Sequence, residues 1–403
     1  MRSIAARSAN WSMFRRQVIR TRHEPDHSQL ERPRTRRVRS SGKVRYLGGP
    51  DVQMSELIND TWSNPHERAA VFGVWAALGG MAMASGPMVG GILIGLIGWR
   101  SIFLVNVPIC LAGVVLALRI PVVTHEPLPG STRAFDLAGQ IAAIVALGLL
   151  NVSVIALPHY GWNSFAVIGS LMVAFAGAAA FVVIEANSAQ PMLPLDLFRN
   201  PLFSGAVWVS MVSAFTFYGL MFHLSLLFQR TFQYTPLRTG LAFLPLTIVV
   251  PIGSLLSKRA AGWLGGKWAV VGACLLAASG YFALAVIGPS APYALFALPL
   301  PAIGLAVSLV TPLTTAAMMT SVERSRAGIA AGALNAARQT GALLGVAWSG
   351  TWIAGRPRTG EGMSSGFLIA GVLSICACAI WWHVSKQSES RDRLLPEAIL
   401  PRP

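Results

Sequence analysis

The stretch "VFGVWAALGGMAMASGPMVGGILIGLIGW", Val71 to Trp99, decides the fold. It carries no charged residue over a length sufficient to cross a bilayer, since a helix rising 1.5 Å per residue needs about 20 residues to traverse about 30 Å of hydrocarbon. Yet Gly86-Pro87 and Gly90-Gly91, in the middle of it, all weaken helices. Pro87 has no N–H, so the bond to the Met83 carbonyl is lost and the ring pushes that turn open. Gly86 and Gly90 stand four apart on one face, where the missing side chains let a neighbouring helix come close. With Gly79 and Gly91 completing the spacing, the stretch predicts a membrane helix that kinks and packs tightly.

Comparable apolar runs recur along the chain. They predict ten spans, at 71–97, 102–118, 137–157, 165–184, 204–227, 240–257, 268–288, 293–321, 328–353 and 364–384. The first and eighth are long enough to tilt or kink. Of the 403 residues 54% are hydrophobic and only 12% charged, too little polar surface to coat a water-soluble globule. The fold class expected is therefore an all-α polytopic membrane protein. Cys110, Cys274, Cys376 and Cys378 all fall inside spans and read as small apolar residues. No zinc spacing, disulfide framework or cofactor-binding pattern is visible, so no metal and no cofactor are expected.

The formal charge of +16 is concentrated at the N-terminus, where residues 1–53 hold 13 Lys/Arg against 4 Asp/Glu. "RTRHEPDHSQLERPRTRRVRSSGKVRYLGGP" has no apolar period with which to bury a face and is expected to be a disordered tail, or one not native to this fold. No apolar core follows its basic start, so it is not a signal peptide. Two readings stand open, a solvated tail and a polybasic segment that binds anionic lipid at about 1 kcal/mol per Lys or Arg. Aromatic interleaving and any nucleic-acid-binding signature are missing, which argues against a nucleic-acid partner.

The distribution of Lys and Arg orients the spans, because cytoplasmic loops are richer in them. With the loop before the first span inside, Arg68, Arg119, Arg133, Arg199, Lys258, Arg259, Lys267, Arg324, Arg326, Arg338, Lys386, Arg391 and Arg393 fall on the cytoplasmic side. Arg100, Arg230, Arg238, Arg356 and Arg358 fall opposite. This predicts an even number of spans, a cytoplasmic C-terminus and residence in the cell (inner) membrane.

The spacing of Gly79, Gly86-Pro87, Gly90 and Gly91 resembles the antiporter motif in the fifth helix of drug:proton antiporters of the major facilitator superfamily. "GWRSIFLVNVPI" at 98–109 is similar to that family's junction of helices five and six. "FDLAGQ" at 135–140 is similar to the entry of the extra helix pair in its fourteen-span branch. The likeness continues through "GWNS" at 161–164, "PMLPLDLFRNPLFS" at 191–204, "FQYTPLRTGLAFLPL" at 232–246 and "RAGIAAGALNAARQTGALLGVA" at 326–347. The resemblance covers about 54–385 and implies helices five to fourteen, with helices one to four missing. It divides the chain into a tail at 1–53, a two-span remnant of the N-terminal half at 54–125, an extra helix pair at 126–190, a six-helix C-terminal half at 191–385 and a cytoplasmic tail at 386–403. The family's Gly/Asp/Arg gating loop between helices two and three and its helix-one acid are not found. "SKRAAGWLGGK" at 257–267 is similar to a degenerate later copy of that loop, with Arg259, Gly265 and Lys267 fitting and no acidic partner.

Proton-coupled export needs a titratable group at membrane depth. No acidic residue lies between Asp196 and Glu323, so the candidates are few. Asp136, before the third span, is open to two roles, a helix cap and a proton carrier. Glu185 reads as an interfacial carboxylate or a coupling group. His223 is the one histidine expected at depth, either hydrogen-bonded in the bundle or titrating. For a small-molecule cavity the candidates are Phe215, Tyr218 and Phe222, within a cluster that includes Phe217 and Phe228, and Asn335 and Gln339, whose spacing puts them on one helix face.

The function expected is proton-coupled efflux of drugs or other small amphipathic molecules by alternating access, with bilayer lipid, substrate and protons as partners and the oligomeric state open. With two of six N-terminal helices, the two-sided cavity is not expected to close within one chain, so a non-transporting remnant is the other reading. A polytopic enzyme of the glycosyl- or acyltransferase type would need HExxH, DxD or a Gly-rich phosphate loop, and none is present.

Overall fold

The computed structural model describes residues 65–118, 136–161, 163–188, 191–287, 291–323, 326–354 and 361–394. The expected tail at 1–53, the connection at 119–135 and residues 395–403 lie outside the described residues. Every regular element among the described residues is helical. In chain order the α-helices are α1 (Pro65–Ile97), α2 (Ser101–Leu104), α3 (Asn106–Ala117), α4 (Leu137–Tyr160), α5 (Phe165–Asn187), α6 (Pro201–Leu226), α7 (Pro236–Ala242), α8 (Leu244–Thr247), α9 (Val249–Leu264), α10 (Gly266–Val286), α11 (Tyr293–Ala297), α12 (Leu300–Thr320), α13 (Ala327–Ala354) and α14 (Glu361–Leu394), with a 3-10 turn at Leu195–Arg199 and a π-helical turn at Leu227–Thr231.

Each expected span coincides with one of these helices or with a short series of them. Seven helical segments among the described residues are long and apolar enough to cross a membrane. The other three positions are α1, the α2–α3 series and α13. α13 falls short in hydropathy because Asn335, Arg338, Gln339 and Thr340 interrupt its middle. In hydrocarbon every peptide group must be satisfied internally, which is why an apolar chain of this kind folds as helices throughout. The sixth span is the series α7–α8–α9, where Pro245 and Pro251 each remove one N–H from the ladder. α14 continues to Leu394, so the first part of the expected C-terminal tail is helical.

Local signals set the helix ends. Asn200 accepts from the Leu202 amide at 3.0 Å and is followed by Pro201, which starts α6 at no hydrogen-bond cost. Thr235 caps α7 in the same way, with Pro236 next in sequence. Between α9 and α10 Gly265 takes φ +79°, a conformation that a side chain would strain.

The six C-terminal spans form the core. One buried cluster gathers Phe228, Tyr281, Phe296 and Ile303, and a second gathers Phe203, Met318, Ala330 and Trp381. α13 packs along α6, α10 lies against α12 and α14, and α4 pairs with α5. α1 is held against α7 and α9.

Candidate functional site

The Gly/Pro segment of α1 meets the C-terminal bundle in a reciprocal contact. A methyl group on Gly91 would lie 2.6 Å from the Pro236 carbonyl oxygen and 3.1 Å from Leu237 Cα. On the other side, a methyl group on Gly240 would collide with the Pro87 carbonyl. Each helix thus presents the pattern Pro-x-x-x-Gly, with the glycine of one seated on the proline carbonyl of the other. The geometry suits backbone approach with Cα–H···O contacts, the usual substitute for apolar driving force between membrane helices. The close approach is made by Gly91 and not by the Gly86–Gly90 pair: a Cβ at Gly79, Gly86 or Gly90 would meet open space among the described residues. The reason is one of angle. Gly91 is one residue, about 100° of helix turn, away from Gly90, and it is the Gly91 face that looks toward α7.

A second feature is a cavity of about 20 Å³ between α6, α10, α13 and α14, lined among others by Phe215, Thr216, His223, Tyr281, Ser349 and Phe367. That volume admits about one water molecule. His223 is buried, its ring centroid is 4.9 Å from that of Phe367, and it has no hydrogen-bond partner among the described residues. Gly366 makes room for it, since a Cβ there would sit 3.1 Å from His223 Cε1. Tyr281 is fully buried, and its hydroxyl is directed at the Thr216 side chain of α6. Ser349 Oγ donates to the Gly219 carbonyl at 3.1 Å, tying α13 to α6. Thr216, Tyr281 and Ser349 were not singled out from sequence, because a lone Thr, Tyr or Ser in an apolar span carries no spacing signal.

The candidate cavity residues are not brought together. Phe215 lines the small cavity, whereas Tyr218 faces outward and stacks edge-on to Phe217 at 5.5 Å. Phe222 is half-buried beside Gly350. Phe228 leaves the cluster altogether: it is fully buried among Phe232, Tyr234, Phe243 and Tyr293 and serves as core. Asn335 and Gln339 share the exposed face of α13 and make no helix–helix hydrogen bond among the described residues. The residue between them does. Arg338 donates to the Thr311 carbonyl at 3.0 Å and to Thr315 Oγ1 at 2.6 Å, both on α12. Counting Arg338 with the cytoplasmic loops is corrected here, because it stands well inside α13, about 16 Å along the axis from the helix start.

The remaining candidates divide between two places. Asp136 caps α4, accepting from the Gly139 amide at 2.8 Å, and Glu185, near the end of α5, accepts from the Leu193 amide at 3.1 Å. Arg259 is exposed near the end of α9, Gly265 forms the turn, and Lys267 Nζ lies 4.4 Å from the centroid of the Trp382 ring on α14. This is a cation–π contact to the neighbouring helix. Among the described residues no group of three or more His, Cys, Asp or Glu is placed to hold a metal ion.

A profile of the Major Facilitator Superfamily matches residues 54–346, most of the chain. The chain belongs to the major facilitator superfamily. As a member of it, this is a multi-pass membrane protein of transporter type and not a polytopic enzyme. Its similarity extends to methylenomycin A resistance proteins. One, from Bacillus subtilis strain 168, is 32% identical over 327 residues, covering 81% of this chain and 69% of the relative. Another, from Streptomyces coelicolor, is 30% identical, with 83% and 70% covered. Multidrug resistance protein Stp of Mycobacterium tuberculosis is 35% identical over 311 residues, 76% of this chain and 57% of that relative.

Proposed function

We propose that the chain acts in proton-coupled efflux of small amphipathic, drug-like molecules, its helices corresponding to the fifth to fourteenth of a fourteen-span major facilitator antiporter. The observation that carries this reading is the reciprocal Pro-x-x-x-Gly contact between α1 and α7. An exporter that alternates access must close one side by bringing its two halves into backbone contact and release that contact to open. Gly91 against the Pro236 carbonyl and Gly240 against the Pro87 carbonyl supply such a contact without interlocking side chains. Relatives named for methylenomycin A and multidrug resistance support the substrate class.

In this reading the membrane is the cell (inner) membrane, the C-terminus is cytoplasmic, and the α1–α7 contact lies in the outer half of the bilayer. Gly79, Gly86 and Gly90 provide the unobstructed face along which α1 moves. Phe215, Tyr218, Phe222, Asn335 and Gln339 are the residues proposed to meet substrate, and Arg259, Gly265 and Lys267 the joint at the opposite side. His223, Asp136 and Glu185 are the proposed proton-binding groups. The extra helix pair α4–α5, held to α13, rides with the C-terminal half.

Dye efflux by cells expressing the chain as written tests the proposal. Efflux above that of empty cells, abolished by a protonophore, is the expected result. Accumulation unchanged from empty cells, with the protein present in the membrane, would leave the family assignment standing and favour the non-transporting reading.

A further inference from the structure

Asp136 and Glu185 come from distant points of the sequence and converge where α4 begins and α5 ends. Each uses one carboxyl oxygen locally. Asp136 Oδ1 accepts from the Gly139 amide, and Glu185 Oε2 accepts from the Leu193 amide, with the Met192 amide also directed at the carboxyl group. The other two oxygens, Asp136 Oδ2 and Glu185 Oε1, are shielded from solvent and have no hydrogen-bond partner among the described residues. Glu185 is only 3% exposed.

These two orphaned oxygens face the same point. A methyl group on Gly139 would lie 2.7 Å from Asp136 Oδ2 and 3.2 Å from Glu185 Oε1, so the oxygens are within about 6 Å of each other, the range in which like charges disfavour joint ionisation. Among the described residues, the elements that meet here carry few charges. α4 contains no Asp, Glu, Lys or Arg, and Glu185 is the one charged residue of α5. Asp196, in the following linker, is bound to Arg326 at 2.5 Å. On α13, which packs against α4, Arg338 is engaged with Thr311 and Thr315 of α12.

Two unsolvated carboxylate oxygens facing one gap are relieved of their mutual repulsion by a single proton held by the pair. We propose that Asp136 and Glu185 form an acid–carboxylate pair holding one shared proton, with Gly139 keeping the gap between them open. The pair is a proton-binding site whether or not the chain exports anything. A use in coupling would rest on the efflux reading, and the test therefore reads protonation and stability instead of transport.

Infrared difference spectroscopy of the purified full chain at neutral pH, in light and heavy water, should show a protonated carboxyl band that shifts on deuteration. The band should be lost in both Asp136→Asn and Glu185→Gln. Thermal unfolding gives an independent reading. A proton held more tightly in the folded than in the unfolded chain stabilises at low pH and ceases to do so as pH rises through the pair's titration. The wild-type midpoint should therefore fall with rising pH, and that fall should be reduced in Glu185→Gln, whose amide supplies a permanent donor. Asp136→Asn, which keeps an oxygen for the Gly139 amide, is the second variant should Glu185→Gln fail to insert. Absence of a protonated carboxyl in the wild type, or the same pH dependence in wild type and both variants, would overturn the proposal. So would stabilisation by sodium or potassium ions that both variants lose, since that outcome marks a cation site.

Discussion

Two of the glycine seams in this molecule are built differently. Along α6 and α13, Gly341 is seated on the Met211 carbonyl and Gly345 on the Phe215 carbonyl, and a methyl group on Gly219 would in return lie 3.0 Å from the Gly345 carbonyl oxygen. Ser349 adds a hydrogen bond from α13 to the Gly219 carbonyl. Backbone contact is therefore continuous over successive turns and locked by a polar bond. Between α1 and α7 there is one reciprocal pair, Gly91 with Pro236 and Gly240 with Pro87, and the other glycines of the segment face open space among the described residues. The first seam joins two helices along much of their length. The second is a single reciprocal backbone contact, with α1 packed also along α9, and in the proposed reading it is the contact that is made and released.

Substitutions should separate the two seams in order of severity. Gly345→Val places a branched side chain directly on the Phe215 carbonyl, and Gly341→Val does the same at Met211. Overpacking of this kind costs about 1–3 kcal/mol or more per site in a tight core. Either variant should sharply reduce the amount of folded protein recovered, read by size-exclusion chromatography of solubilised membranes. Gly91→Val meets the Pro236 carbonyl but at the edge of the bundle, so the C-terminal half should remain folded while α1 is displaced. A cysteine-accessibility assay along α7 should then report increased labelling. Gly90→Val, its neighbour, points into open space and should shift the unfolding midpoint by the equivalent of no more than about 0.5 kcal/mol.

Smaller effects fall outside both seams. Asp136→Ala removes the α4 cap and should cost about 1 kcal/mol by thermal unfolding, while Asp136→Asn should retain most of it. Arg326→Ala breaks an ion pair whose two side chains are 42% and 53% exposed, and solvent and salt screen it. Its unfolding midpoint should match the wild type in high salt.

The positions of the helices were legible in the sequence because a bilayer demands long apolar runs, and those runs are visible one at a time. What joins the helices was less so. Gly341 and Gly345 lie within the stretch at 326–347, yet nothing local distinguishes them from Gly86 and Gly90, which have the same spacing and face open space. Which of two adjacent glycines meets a neighbour depends on helix rotation about its axis, and α1 is apolar nearly all round, so periodicity does not set that rotation. Asp136 and Glu185 read as separate helix-end acids because their meeting depends on how α4 and α5 pair. Arg338 was counted with the loop cations although it lies inside the expected span 328–353, because its partners on α12, Thr311 and Thr315, leave no local signal in the sequence.

The central claim is that the α1–α7 contact is a working seam of an exporter. Protonophore-sensitive dye efflux, measured per unit of membrane-inserted protein in cells expressing the wild-type chain, Gly91→Val and Gly90→Val, tests it most directly. The account predicts efflux by the wild type and Gly90→Val, and its loss in Gly91→Val at equal protein level. Equal efflux by all three chains would contradict it.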